Sequence, residues 1–183
     1  MSTAVPTLVI TGPVGVGKTT VAEAVSWLLA EAGVPHAVVD LDQLRCCYPR
    51  PPRDRFHTAL GLRNLAVVWA NYRAAGAERL ILADVVETRA EVAGYGDAVP
   101  GAEIVVVRLR AALPTLHRRL EGREAGASLE WHQERAAELA TLMERNQVED
   151  LPVDTDGRSI LEVAQEVLSR TGWASALDLP RVV

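Results

Sequence analysis

Lysine is almost absent from this sequence: of its 19 basic residues all but Lys18 are arginine. Cysteine is scarce too. Cys46 and Cys47 are adjacent, which excludes a disulfide framework or a four-ligand zinc site and reads as two free thiols in a reducing compartment. No uninterrupted apolar run reaches the roughly 18 residues of a membrane-spanning helix, and Met1–Pro6 shows no basic segment leading into an apolar stretch of the secretory kind. A cytoplasmic protein is expected. The formal net charge of −5 argues against the broad basic surface of a general nucleic-acid binder. No internal repeat is visible.

What is present suits one domain over 1–183, since 183 residues at 49% hydrophobic suffice for a single core. Short apolar runs at Thr7–Thr11, His36–Leu41, Arg79–Val86, Glu103–Leu109 and Pro152–Thr155 read as strands. Helical spacing follows the first strand and recurs over Asp54–Ala75, Ala112–Glu121, Glu130–Gln147 and from Ile160 onward. Buried strands alternating with amphipathic helices predict an α/β fold, a three-layer α/β/α sandwich around a parallel five-stranded sheet. The four tryptophans read as packing residues. In the tail, 172–183, Trp173 and Leu177 are expected to dock on the body of the molecule.

Between the first strand and first helix stands Gly12-Pro13-Val14-Gly15-Val16-Gly17-Lys18-Thr19, which fits G-x-x-x-x-G-K-[ST]. Glycines let the backbone curl so that successive N–H groups face phosphate oxygens, and the helix N-terminus adds its positive end. The lone lysine falls where a compact ammonium must reach the phosphates and a planar guanidinium would not fit. The pattern assigns Gly12, Val14, Gly15, Val16, Gly17, Lys18, Thr19 and Thr20 to nucleotide, with the Thr19 hydroxyl on Mg²⁺.

Asp40 and Asp42, at the end of the second strand, face the same crevice. Asp42 is the candidate base for an acceptor hydroxyl, and Asp40 holds the acceptor or a water of Mg²⁺. Asp84, ending the third strand, is the candidate second metal carboxylate, with Glu87 behind it. Arg119 and Arg123, four apart, share a helix face in a segment of about 115–132 that reads as a short lid closing over the transferred phosphoryl group.

These motifs resemble the P-loop kinases, and the resemblance implies ATP and Mg²⁺ as ligands. Asp40-x-Asp42 is similar to shikimate kinase and Asp40-x-Asp42-x-x-Arg45 to adenylylsulfate kinase, which implies acceptor contacts for Asp40, Asp42 and Arg45. Arg63 loosely echoes the latter family's substrate helix. That family's lysine-rich lid and the former's glycine triplet have no counterpart, so the resemblance is to the broader group, gluconate kinase and chloramphenicol phosphotransferase included. In that group the loop carrying Asp156 and Gly157 borders the adenine. The implied activity moves the γ-phosphoryl group of ATP to a hydroxyl of a small molecule. The alternatives are a nucleoside monophosphate kinase and a nucleotide-gated regulatory protein with slow ATPase activity. The sequence does not define an oligomeric state.

Overall fold

The apolar runs do form strands. In the computed structural model, which describes residues 4–49, 54 and 56–176, five of them make one parallel sheet: β1 (Val5–Thr11), β2 (His36–Asp40), β3 (Arg79–Ala83), β4 (Ala102–Arg110) and β5 (Leu151–Asp154). The order is β2-β3-β1-β4-β5, with Leu8 opposite Ile81 on one side and Val105 on the other. The helices are α1 (Lys18–Glu31), α2 (Leu41–Leu44), α3 (Thr58–Ala74), α4 (Val92–Ala98), α5 (Leu113–Glu121), α6 (Gly126–Asn146) and α7 (Ile160–Arg170).

Alternation along β1 builds two cores. Leu8 and Ile10 pack with Leu29 of α1, Leu116 and Leu120 of α5 and Val167 of α7. Val5 and Val9 face Leu65 and Trp69 of α3, Tyr95 of α4 and Leu139 of α6. Helices therefore cover both faces, giving the three-layer sandwich. The chain moves from β1 outward to β2, then returns through β3 and crosses to β4. The resulting crevice opens at the carboxyl end of β1, where an open α/β sheet binds its ligand.

Several boundaries differ from the sequence reading. α3 starts at Thr58 instead of Asp54, because the Asp54 carboxylate accepts from the N–H groups of Thr58 (2.8 Å) and Ala59 (3.0 Å) and so caps the first turn. α6 begins at Gly126, which was expected to separate two helices. α4 was not anticipated; it is short and holds Gly94 and Gly96. Two tryptophans, Trp69 and Trp173, are buried as expected, but Trp27 and Trp131 are 56% and 43% exposed. Trp173 docks on the first core, while Leu177 lies outside the described residues. Among the described residues no helix is long and apolar enough to cross a membrane.

Candidate active site

The turn after β1 is shaped by close approach and positive φ. At Gly12 (φ +144°) a Cβ would stand 2.5 Å from the Leu109 carbonyl oxygen, so only glycine fits. Gly17, at φ +101°, caps α1 with no side chain, and the first turn of that helix carries no acidic residue. The leading amides of α1 are thus left to an external anion. Lys18 folds over the loop and donates to the carbonyls of Gly12 (3.1 Å) and Pro13 (3.3 Å). Burial of its ammonium holds the lysine below its ordinary pKa, against the pull of Asp42, Asp84 and Asp40.

Next to it, the Thr19 hydroxyl donates to Asp40 Oδ2 at 2.7 Å, while Asp40 Oδ1 accepts from the Asp42 N–H at 2.9 Å and so caps α2. Asp40, not Asp42, is the helix cap. Asp42 is left with its carboxylate 66% exposed at the mouth and 3.7 Å from the nearest Arg45 nitrogen. Thr19 and Asp40 form an oxygen pair of the kind Mg²⁺ takes, and no cluster of three or more potential metal-binding side chains occurs among the described residues. Such a donor set fits a Mg²⁺ that arrives with phosphate oxygens and water. The curled loop, the free helix amides, the lysine and this pair together fit Mg-ATP.

Asp84 is placed differently from the expectation of a metal carboxylate. It is 1% exposed, and its oxygens already accept from Arg45 (2.6 Å), the Tyr95 hydroxyl (2.6 Å) and the Val85 N–H (2.7 Å). Burial pushes its pKa up, and Arg45 opposes that rise. Arg45, expected on the acceptor, is committed to this pair, and its side chain occupies the space left by Gly61 of α3. The Arg45 carbonyl in turn accepts from Nδ1 of the buried His57 at 2.7 Å.

A cavity of about 770 Å³ joins these parts. Lys18, Thr19 and Asp42 line it together with Arg45, Asp84 and Arg123, and its far wall carries Phe56, Tyr95, Trp131 and Arg135. Arg63 sits on the exposed side of α3 and is not part of this lining. The far wall was missed in the sequence. Trp131 and Arg135 are four apart in α6 and so share a helical face, which was the available signal.

The expected lid divides in two. Its first part is α5, fixed by the buried Leu116 and Leu120, and Arg119 there donates to the Val16 carbonyl (3.1 Å) and the Thr155 hydroxyl (3.1 Å). Arg123 follows at the α5–α6 turn, 59% exposed, with Nε 3.2 Å from Glu124. A second groove of about 300 Å³ runs behind the phosphate loop between Val16, Thr20, Arg119, Thr155, Arg158 and Ile160. Asp156 and Gly157, expected beside the base, do not line it. Asp156 instead accepts from the Ala112 N–H at 2.7 Å and ties the loop to α5.

No protein-family model matches the chain, and no curated protein matches its sequence. Solved structures do. The APS kinase of Mycobacterium tuberculosis, in complex with AMPPNP and APS, is 28% identical with a TM-score of 0.63, over 91% of this chain and 96% of that one. A gluconokinase from Sinorhizobium meliloti 1021 is 21% identical with a TM-score of 0.59, over 92% of both chains. The shikimate kinase of Acinetobacter baumannii, in complex with shikimate, is 16% identical with a TM-score of 0.58, over 91% of this chain and 92% of that one.

Proposed function

For a chain built as the P-loop small-molecule kinases are, we propose an ATP-dependent phosphotransferase whose acceptor is a hydroxyl group of a small molecule. One observation carries this reading: Lys18, Thr19 and the exposed carboxylate of Asp42 line a single cavity. The AMPPNP held by the mycobacterial APS kinase supports ATP as the donor.

Gly12 to Thr20 would hold the phosphates, Thr19 and Asp40 the Mg²⁺, and the groove beside Arg119 and Thr155 the base. When bound, Mg-ATP supplies the phosphoryl group: a bond forms from phosphorus to the acceptor oxygen and the bond to the ADP oxygen breaks. Lys18 stabilises negative charge at the phosphates. Asp42 orients the acceptor hydroxyl and takes its proton. Arg123, which lines the same cavity, would close over the transferring group, and water exclusion would fall to the turn that carries it. Arg45 and Tyr95 hold Asp84 and keep that wall of the cleft rigid.

The test is ATP turnover against a panel of hydroxylated metabolites, with Asp42→Asn alongside. Turnover should be slow alone and strongly stimulated by an acceptor. Full acceptor-dependent turnover in Asp42→Asn would remove Asp42 as the base, and stimulation by a protein partner alone would favour a regulatory ATPase.

A further inference from the structure

The phosphate loop determines where the acceptor enters, and the side chains beyond it determine what it is. The cleft carries Asp42, Asp84, Glu87 and Glu91, and an adjoining space of about 350 Å³, which shares Phe56, Glu87, Trp131 and Arg135 with it, adds Glu134 and Glu138. Besides Arg123 at the lid turn, two guanidinium groups among the described residues face these six carboxylates, and both are already engaged. Arg45 is 2.6 Å from Asp84. Arg135 is paired with Glu87 and, at 2.7 Å, with Glu138. Beyond the loop and the lid turn, the described lining is therefore net negative, and a walled cleft concentrates that potential.

Apart from Lys18 and Arg123, which serve the phosphate loop and the lid turn, a carboxylate, sulfate or phosphate on the acceptor would meet this field with every arginine of the described lining already paired. Diverting Arg45 would leave Asp84 buried and uncompensated, which is costly. The surfaces between the acids are aromatic and aliphatic: Phe56, Tyr95 and Trp131, with Leu62 and Leu139. Ring faces attract cations, and the cleft already shows one such contact, with the Arg135 guanidinium 5.6 Å from the Phe56 ring centre. The volume of about 770 Å³ lies in the upper part of the range for small-molecule sites, about 300–1,000 Å³.

We infer that the acceptor is a hydroxylated amine, cationic at neutral pH and with an apolar body that lies against Trp131 and Phe56. This rests on the phosphotransfer reading and sharpens it. The hydroxyl is presented to Asp42, while the ammonium is held toward Glu134 and Glu138 in the adjoining space.

Thermal unfolding of the full chain with AMPPNP and Mg²⁺ tests it, against hydroxylated compounds in matched sets. Each skeleton is offered as the free amine, the N-acetyl amide and the carboxylate, using amino sugars and aryl amino alcohols. The amines should raise the Tm, the amides less, and the carboxylates not at all. In the Glu134→Gln/Glu138→Gln double variant the apparent affinity for each responding amine should fall about fivefold. An equal or larger response to carboxylates, or no response from any class while AMPPNP still binds, overturns the inference and leaves the phosphotransfer reading standing. Failure of AMPPNP itself to bind overturns both.

Discussion

Asp42 stands apart from the other carboxylates of the cleft because almost nothing holds it. Asp40 is occupied by Thr19 and by the cap of α2, and Asp84 by Arg45, Tyr95 and Val85. A base must have a free lone pair and room for its substrate, and Asp42 has both. Asp42→Asn should lower acceptor-dependent kcat by about 10²–10⁴-fold while AMPPNP binding, measured by calorimetry, stays within about twofold. The Arg45–Asp84 pair predicts a stability effect. Arg45→Met strands a carboxylate that is 1% exposed and should cost about 3–5 kcal/mol in urea unfolding. Adding Asp84→Asn should recover more than half of that loss; no recovery would mean that Arg45 acts through packing against Gly61. Asp42 and Lys18 could be read from local spacing. The Arg45–Asp84 pair could not, because its members are 39 residues apart and meet only once β2 and β3 lie side by side.

At the scale of elements, α7 is the most self-determined. Ser159 accepts from the Glu162 N–H while the Glu162 carboxylate accepts from the Ser159 N–H, a complete capping box. Ser159→Ala should cost about 1 kcal/mol. The bonds from Ser159 hold the Glu162 pKa below its ordinary 4.5. A lowered carboxylate contributes stability that is full above the unfolded value and is lost as pH falls through the folded one. The difference in urea midpoint between wild type and Glu162→Ala should therefore hold from neutral pH to about 4.5 and close below it. A difference that persists unchanged in acid would contradict the box. Such helices, and the β-branched strands, are legible because their signals are local. α4 was not, since seven residues with two glycines carry little periodicity. The far wall of the cleft depends on which face α6 turns to α4 and α3, a tertiary fact that places Trp131 beside Tyr95 and Phe56 in one cavity.

In the whole molecule, the order β2-β3-β1-β4-β5 brings the sequence signals together. β1 ends in the glycine-rich loop, β2 at Asp40 and Asp42 and β3 at Asp84, and α5 and α7 flank the groove behind the loop. The scarcity of lysine fits this placement: among the described residues arginines pair with carboxylates across the fold, and the one lysine stands in the loop where a broad guanidinium would not fit. If this loop binds the phosphates of ATP, calorimetric titration of AMPPNP with Mg²⁺ into the wild type should show one site, and Lys18→Met should bind at least about tenfold more weakly, about 1.4 kcal/mol. Equal affinity in the two proteins, or no binding to the wild type, would contradict that role of the loop.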